Sequence, residues 1–211
     1  MSRAAVSRAA QSRATVSPTA VSPTAGSAPV HGSTLPDMPR VVGGCPRSLI
    51  TSIRAAVGAH GSWQDTADRV ASALRRDRPG PSLLTPAQLA GDPAGYQTHL
   101  LYAEPDGAFS VTAMVWLPGQ ATEIHDHVAW CVTAVLQGTE YEEIFAARGD
   151  HLDTVARSQN PAGTVSGFAP PGDIHRVRNS GATTAVSMHV YGTDITRVGS
   201  SIRRVYHLPA R

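Results

Sequence analysis

The segment Pro118-Gly119-Gln120-Ala121-Thr122-Glu123-Ile124-His125-Asp126-His127 carries two imidazoles two residues apart, directly after a Pro-Gly turn. On a strand, alternate side chains share a face, so His125 and His127 would present their rings to one ion. On a helix the same spacing would set them about 200° apart. A third imidazole, His175, follows a second such turn in Pro170-Pro171-Gly172-Asp173-Ile174-His175, with Val177 and Asn179 alternating after it. The chemistry on offer is metal ligation by three neutral nitrogens from two strands. An isolated His-x-His is more often structural or exposed; two turn-plus-His elements in a strand-rich chain are a far stronger signal. Glu123, two residues before His125, could reach the same ion by the same alternation.

The elements that must hold these ligands follow from the hydrophobic pattern. After Gly95 the chain reads as short β runs: 98–103, 109–117, 123–136, 141–146, 151–156, 164–168, 175–179, 184–191 and 203–206. The separators, among them Pro105-Asp106-Gly107, Gln137-Gly138 and Ser180-Gly181, are turn formers. Around nine short strands without intervening helices predict a mainly β fold, an antiparallel jelly-roll barrel whose interior admits one small ligand. Upstream, Leu49, Ile50, Ile53, Ala56 and Val57 recur at helical spacing. Ser62 then caps a second helical run (Trp63, Ala67, Val70, Ala71, Leu74), and Thr85-Pro86 opens a third. The chain thus divides into a low-complexity tail (1–40), a helical segment packed on the barrel (41–95) and the metal-binding barrel (96–211). The tail is read as disordered, since its Ser/Ala/Thr/Pro near-repeats cannot bury enough apolar surface to offset their ordering entropy. Its Arg-rich, acid-poor start also fits an organelle transit peptide, but no amphipathic face supports that.

Composition excludes several classes. All 18 basic residues are Arg, so no Schiff-base or phosphate-loop lysine is available. Residues 1–40 hold four Arg against one Asp, leaving 14 Arg against 15 acidic residues elsewhere. A near-neutral folded part gives no basis for nucleic acid or an anionic membrane as partner. There is no apolar run long enough to span a bilayer and no apolar signal-peptide core, and the only cysteines are Cys45 and Cys131. A reduced, cytoplasmic setting is the expectation. Oligomeric state is not written in the sequence. Trp63, Trp116 and Trp130 are read as packing residues, and Glu140, Glu142 and Glu143 as a solvated turn and strand edge.

Taken together, Gly119-x5-His125-x-His127 with Gly138, and Pro170-x-Gly172-x2-His175-x3-Asn179, resemble the two motifs of the cupin superfamily. That resemblance implies a double-stranded β-helix with N-terminal helices. Most metal cupins add a Glu separated from the second His by three or four residues. Here those places hold Cys131 and Val132, a departure that resembles the thiol dioxygenases of the cysteine and 3-mercaptopropionate type. Ser187-Met188-His189-Val190-Tyr191 is similar to the Ser-x-His-x-Tyr strand of the same group, with Ser187, His189 and Tyr191 on one face as a hydrogen-bonded relay. The resemblance covers residues 95–206. It implies Fe(II) held by His125, His127 and His175, with small thiol and O2 as substrates and a sulfinic acid as product. Tyr191 would donate a hydrogen bond at the reacting centre, and in some members a cysteine at the place of Cys131 is joined to that tyrosine.

The substrate end differs from the pattern. Where members of the group carry Tyr-x-Arg, this chain reads Tyr96-Gln97-Thr98-His99. Mercaptopropionate-type members place the carboxylate-binding Arg after the Ser-x-His-x-Tyr strand. Arg203 or Arg204 would take that role here, with Thr98 or His99 as pocket wall, although each Arg alone reads as a solvated charge. A metal cupin acting on a non-thiol substrate (an isomerase or another dioxygenase) and a metal-binding cupin without turnover are the alternatives. Neither needs a phenol relay facing the metal.

Overall fold

Amphipathic spacing builds a helical layer first. A computed structural model describes residues 44–211; the tail expected over 1–40 and its transit-peptide alternative lie outside the described residues. Helix α1 (Arg47–Val57) buries Leu49, Ile50 and Ile53. Helix α2 (Trp63–Asp77) starts at Ser62, whose side chain caps the Asp65 N–H while Asp65 caps Ser62 in return. That reciprocal pair satisfies two amide donors a helix start leaves open. The same device, Thr85 with Gln88, opens the short α3 (Pro86–Leu89). Trp63, expected to anchor packing, is 49% exposed. As the first residue of α2 it points out of the layer, and Val70 and Leu74 one face along are the anchors instead.

The strands are β1 (Gln97–Ala103), β2 (Ser110–Trp116), β3 (His125–His127), β4 (Cys131–Gln137), β5 (Thr139–Arg148), β6 (His151–Pro161), β7 (Val165–Phe168), β8 (His175–Asn179) and β9 (Ala185–Tyr191). A turn of helix, α4 (Ile195–Val198), precedes β10 (Ile202–Val205). They form two five-stranded antiparallel sheets, β1-β2-β9-β4-β7 and β10-β3-β8-β5-β6. In the first sheet, Val111, Ala113, Val115, Val132, Ala134, Val186, Met188 and Val190 pack with the apolar faces of α1 and α2. Their alternates therefore face the second sheet: Thr112 and Met114, Cys131 and Thr133, and Ser187, His189 and Tyr191. Each fully buried Val or Leu in the covered face is worth about 1.5–3 kcal/mol, so the helices stabilise the sheet without occupying its working side.

Two strands differ from the sequence reading. The run 123–136 divides at Val128-Ala129-Trp130 into β3 and β4, which belong to different sheets. Buried Trp130 sits at the corner, its carbonyl accepting from the Gly192 N–H at 2.9 Å. One apolar stretch thus serves both walls, which periodicity alone cannot reveal. Strand β6 extends to Pro161 because its polar far half, exposed from Val155 to Gln159, is held by pairing with β5 rather than by burial.

Candidate metal centre and its facing wall

The two Pro-Gly turns do what their sequence predicts. Gly119 and Gly172 adopt φ of 83° and 102°, values that strain any residue with a Cβ, and each turn delivers a histidine strand. Strands β3 and β8 run antiparallel with His125 opposite His175. The rings of His125, His127 and His175 lie with centroids 4.7–5.0 Å apart. All three are buried, and one nitrogen from each falls within 4.8 Å of the others.

What points the rings is their other nitrogen. His125 Nδ1 bonds the Glu123 carbonyl at 2.8 Å, His127 Nδ1 bonds Asp173 Oδ2 at 3.2 Å, and His175 Nδ1 bonds Glu142 Oε1 at 2.7 Å. Asp173 Oδ2 also accepts the His127 backbone N–H at 2.8 Å. With Nδ1–H donated in each case, the three Nε2 lone pairs are left to converge. Burial, then the neighbouring His175 and His127, holds His125 well below the ordinary imidazole range. Burial also lowers His127, against the opposing pull of Asp173. Both rings are therefore neutral near pH 7, the form a metal requires. The donor set fits a divalent transition metal, with three nitrogens on one side and, among the described residues, no further ligand in the cluster.

The facing wall is the strand Ser187-x-His189-x-Tyr191. Trp116 Nε1 donates to Ser187 Oγ at 3.1 Å, and Ser187 Oγ lies 2.9 Å from His189 Nε2. His189 Nδ1 faces Thr133 Oγ1 at 3.4 Å and Cys131 Sγ at 4.0 Å. Burial, followed by the His175 and His127 charges, presses the His189 imidazole down to about 3, so it is neutral. The relay differs from expectation at its last link. His189 and Tyr191 stack, centroids 5.8 Å apart and planes at 24°, rather than share a hydrogen bond. Burial raises Tyr191 well above the usual phenol range and raises Cys131 above the usual thiol range, so both keep their protons. The two are direct cross-strand partners and pack with Leu100 and Ile195.

At the substrate end several expectations need correction. Arg203 and Arg204 do not enter the space between the sheets. Both bond Asp126 Oδ2, as does the Tyr206 hydroxyl at 2.8 Å. Asp126 lies between two ligands on a strand, so alternation turns it, and the arginines with it, to the opposite face. His99 pairs with Ala113 and so faces the helical layer, whereas Thr98 pairs with Met114 and shares the inner face. Glu123 is exposed and contributes its carbonyl, not its carboxylate. Glu140 and Glu142 are not a solvated edge: Glu140 is 2% exposed and Glu142 holds His175, while only Glu143 turns outward to Arg176 and Arg157. Glu142, Asp173, Trp116 and Thr133 were missed as site residues. The period-two pair Glu140/Glu142 was the available signal for the first.

Two antiparallel sheets enclosing a three-histidine cluster, with a Ser-His-Tyr strand opposite, define a barrel of the cupin type with a candidate metal site. Residues 87–200, more than half of the chain, match the model of the family described as cysteine dioxygenase type I, and the chain belongs to that family. Among solved structures, a recombinant oxalate oxidase in complex with glycolate is 20% identical, with TM-score 0.39, over 48% of this chain and 53% of that one. The match thus spans about half the length of that enzyme. A Thermus thermophilus protein is 22% identical over 52% of this chain and 95% of its own, TM-score 0.39. A cupin superfamily protein from Desulfitobacterium hafniense is 14% identical over 54% and 86%, TM-score 0.39. The buried histidine triad is the candidate metal site of this family member. No helix among the described residues is long and apolar enough to cross a membrane.

Proposed function

We propose that the protein is an Fe(II)-dependent thiol dioxygenase that converts a small thiol, cysteine or a 3-mercaptopropionate-like molecule, and O2 to a sulfinic acid. The observation that carries this reading is the set of three secured Nδ1 atoms, which leaves a neutral three-nitrogen face opposite the Tyr191 wall. Fe(II), held by His125, His127 and His175, would supply a Lewis-acidic, redox-active cation for a reaction between a thiol and O2. The chain's own groups do the rest. Glu142 and Asp173 fix ring orientation and raise ligand basicity. Tyr191, kept as a phenol by burial, donates a hydrogen bond to the reacting centre. Thr98 lines the wall, and Thr112, whose Oγ1 is buried without a partner among the described residues, faces the same side as His189 and donates its hydroxyl proton to the far end of the substrate. Apolar Leu100 and Phe168 keep bulk water from the centre.

Oxygen consumption by the Fe(II)-loaded protein against cysteine, 3-mercaptopropionate, mercaptosuccinate, cysteamine and a thiol-free control tests the proposal. One O2 per thiol, with a sulfinate in the products, is expected, and Tyr191→Phe should slow it on the order of a hundredfold. Stoichiometric iron with no thiol-stimulated uptake would sink the proposal and turn attention to a non-thiol substrate.

A further inference from the structure

Glu142, which holds His175 from its Nδ1 side, also lines a second and much smaller space between the sheets. This cavity, of about 10 Å³, is bounded by Glu140, Glu142 and Asn160 from β5 and β6, and by Thr133, Thr164 and Ser166 from β4 and the start of β7. Thr133 and Ser166 are direct cross-strand partners, and period two on β5 puts Glu140 beside Glu142 on the inner face. The volume is at the lower limit for one water molecule. What faces it is mostly oxygen: two carboxylates, three hydroxyls and a side-chain amide.

One of those carboxylates has nothing to hold. Glu140 is 2% exposed, and its Oε1 is buried without a hydrogen-bond partner among the described residues. Nearby donors are committed elsewhere. Asn179, its cross-strand partner on β8, donates to the Trp116 and Thr183 carbonyls at 2.9 and 2.8 Å. Asn160, its partner on β6, turns its amide nitrogen to Glu142 Oε2 at 3.4 Å. The arginines of the same strands face outward, Arg157 and Arg176 to Glu143 and Arg178 onto the Tyr141 ring. A buried charge persists when it is paired or when it ligates an ion. Glu142 has the His175 ring and Asn160, so one negative charge is left over, and a single positive charge balances it. The oxygen donors select a hard cation, and the volume selects a small one that sheds its water; Mg²⁺, which keeps several waters, does not fit. We infer that this cavity is a binding site for a monovalent cation of sodium size, with Glu140 as its charged ligand. Glu142 and the hydroxyls of Thr133, Thr164 and Ser166 complete the shell. The ion would tie β5 and β6 to β4 and β7 at the back of the carboxylate that orients His175.

Melting of the full-length, Zn(II)-loaded protein in sodium chloride and in choline chloride at equal ionic strength tests the assignment. Sodium should raise the wild-type melting temperature by roughly 5 °C, saturating as the site fills, whereas choline is too large to enter. Glu140→Gln removes the charge and keeps the size of the side chain, so it should melt at one temperature in both salts. Sodium NMR of the wild type should show line broadening that saturates at one ion per chain and is lost in the variant. A wild type that melts alike in the two salts, or a variant with the same sodium dependence, overturns the inference; the cavity then holds a water beside a protonated carboxyl. Should Glu140→Gln fail to fold, sodium NMR of the wild type decides alone, and the absence of saturable broadening is the overturning result. Neither readout uses thiol or O2, so failure to bind sodium and failure of the thiol dioxygenase reading are told apart.

Discussion

The two walls of the barrel treat their histidines in opposite ways. On the β3/β8 wall each ring spends Nδ1 on a fixed acceptor and keeps Nε2 free. On the β9 wall His189 has both nitrogens occupied, by Ser187 and by Thr133 and Cys131. Burial alone does not separate them, since all four rings are nearly inaccessible. What separates a ligand from a wall residue here is the hydrogen bond at the second nitrogen, and that depends on what the adjoining strand presents.

The comparison is broken most severely at the free nitrogens. His127→Ala should abolish stoichiometric metal binding, while His189→Ala should keep full metal content and lose only turnover, as metal analysis of the two purified variants would show. Equal metal loss in both would mean that His189 is a ligand and the contrast is false. Next in size is the support behind a ligand. Glu142→Gln should weaken metal binding about 10–100-fold by chelator competition, with the fold intact, because the amide accepts the His175 Nδ1–H less strongly than a carboxylate. An unchanged affinity would show that His175 needs no such partner.

The smallest effect lies on the outer face. Burial opposes ionisation of Asp126, but hydrogen bonds from Arg203, Arg204 and Tyr206 outweigh it and hold the carboxyl well below the usual carboxylate range. A depressed folded value means stability that is complete above the unfolded value near 3.9 and is lost as pH falls below it. Both guanidinium groups are largely open to water, which screens the pairs, so Asp126→Asn should cost only about 1 kcal/mol at neutral pH and nothing in strong acid. Melting curves at pH 7 and in progressively stronger acid below the unfolded value would read the difference shrinking. Should the same variant raise the KM for the thiol, Arg203 or Arg204 has a part at the substrate after all.

Much of the site was legible because it obeys the shortest-range rules. A period of two fixes which residues of His125-x-His127 and Ser187-x-His189-x-Tyr191 share a face, and the glycine turns mark where each strand begins. That same rule also turns Asp126, and with it Arg203 and Arg204, to the outside, a consequence that becomes visible only when β10 is seen paired with β3. Glu142 and Asp173 were hidden because a carboxylate's role depends on which strand lies beside it. Glu142 is 33 positions from His175, and Asp173 is 46 from His127.

Sequence by itself determined the local choices: capped helices with one apolar face, strands with two distinct faces, and three imidazoles on strands rather than helices, each set by periodicity and turn chemistry within a few residues. Tertiary structure decided the rest. It divided 123–136 between two sheets, gave Glu140 and Glu142 to the interior, and chose which nitrogen of each histidine stays free. Those outcomes depend on non-local strand pairing, and a residue's protonation and partners follow from the surface laid against it, which no window of sequence contains.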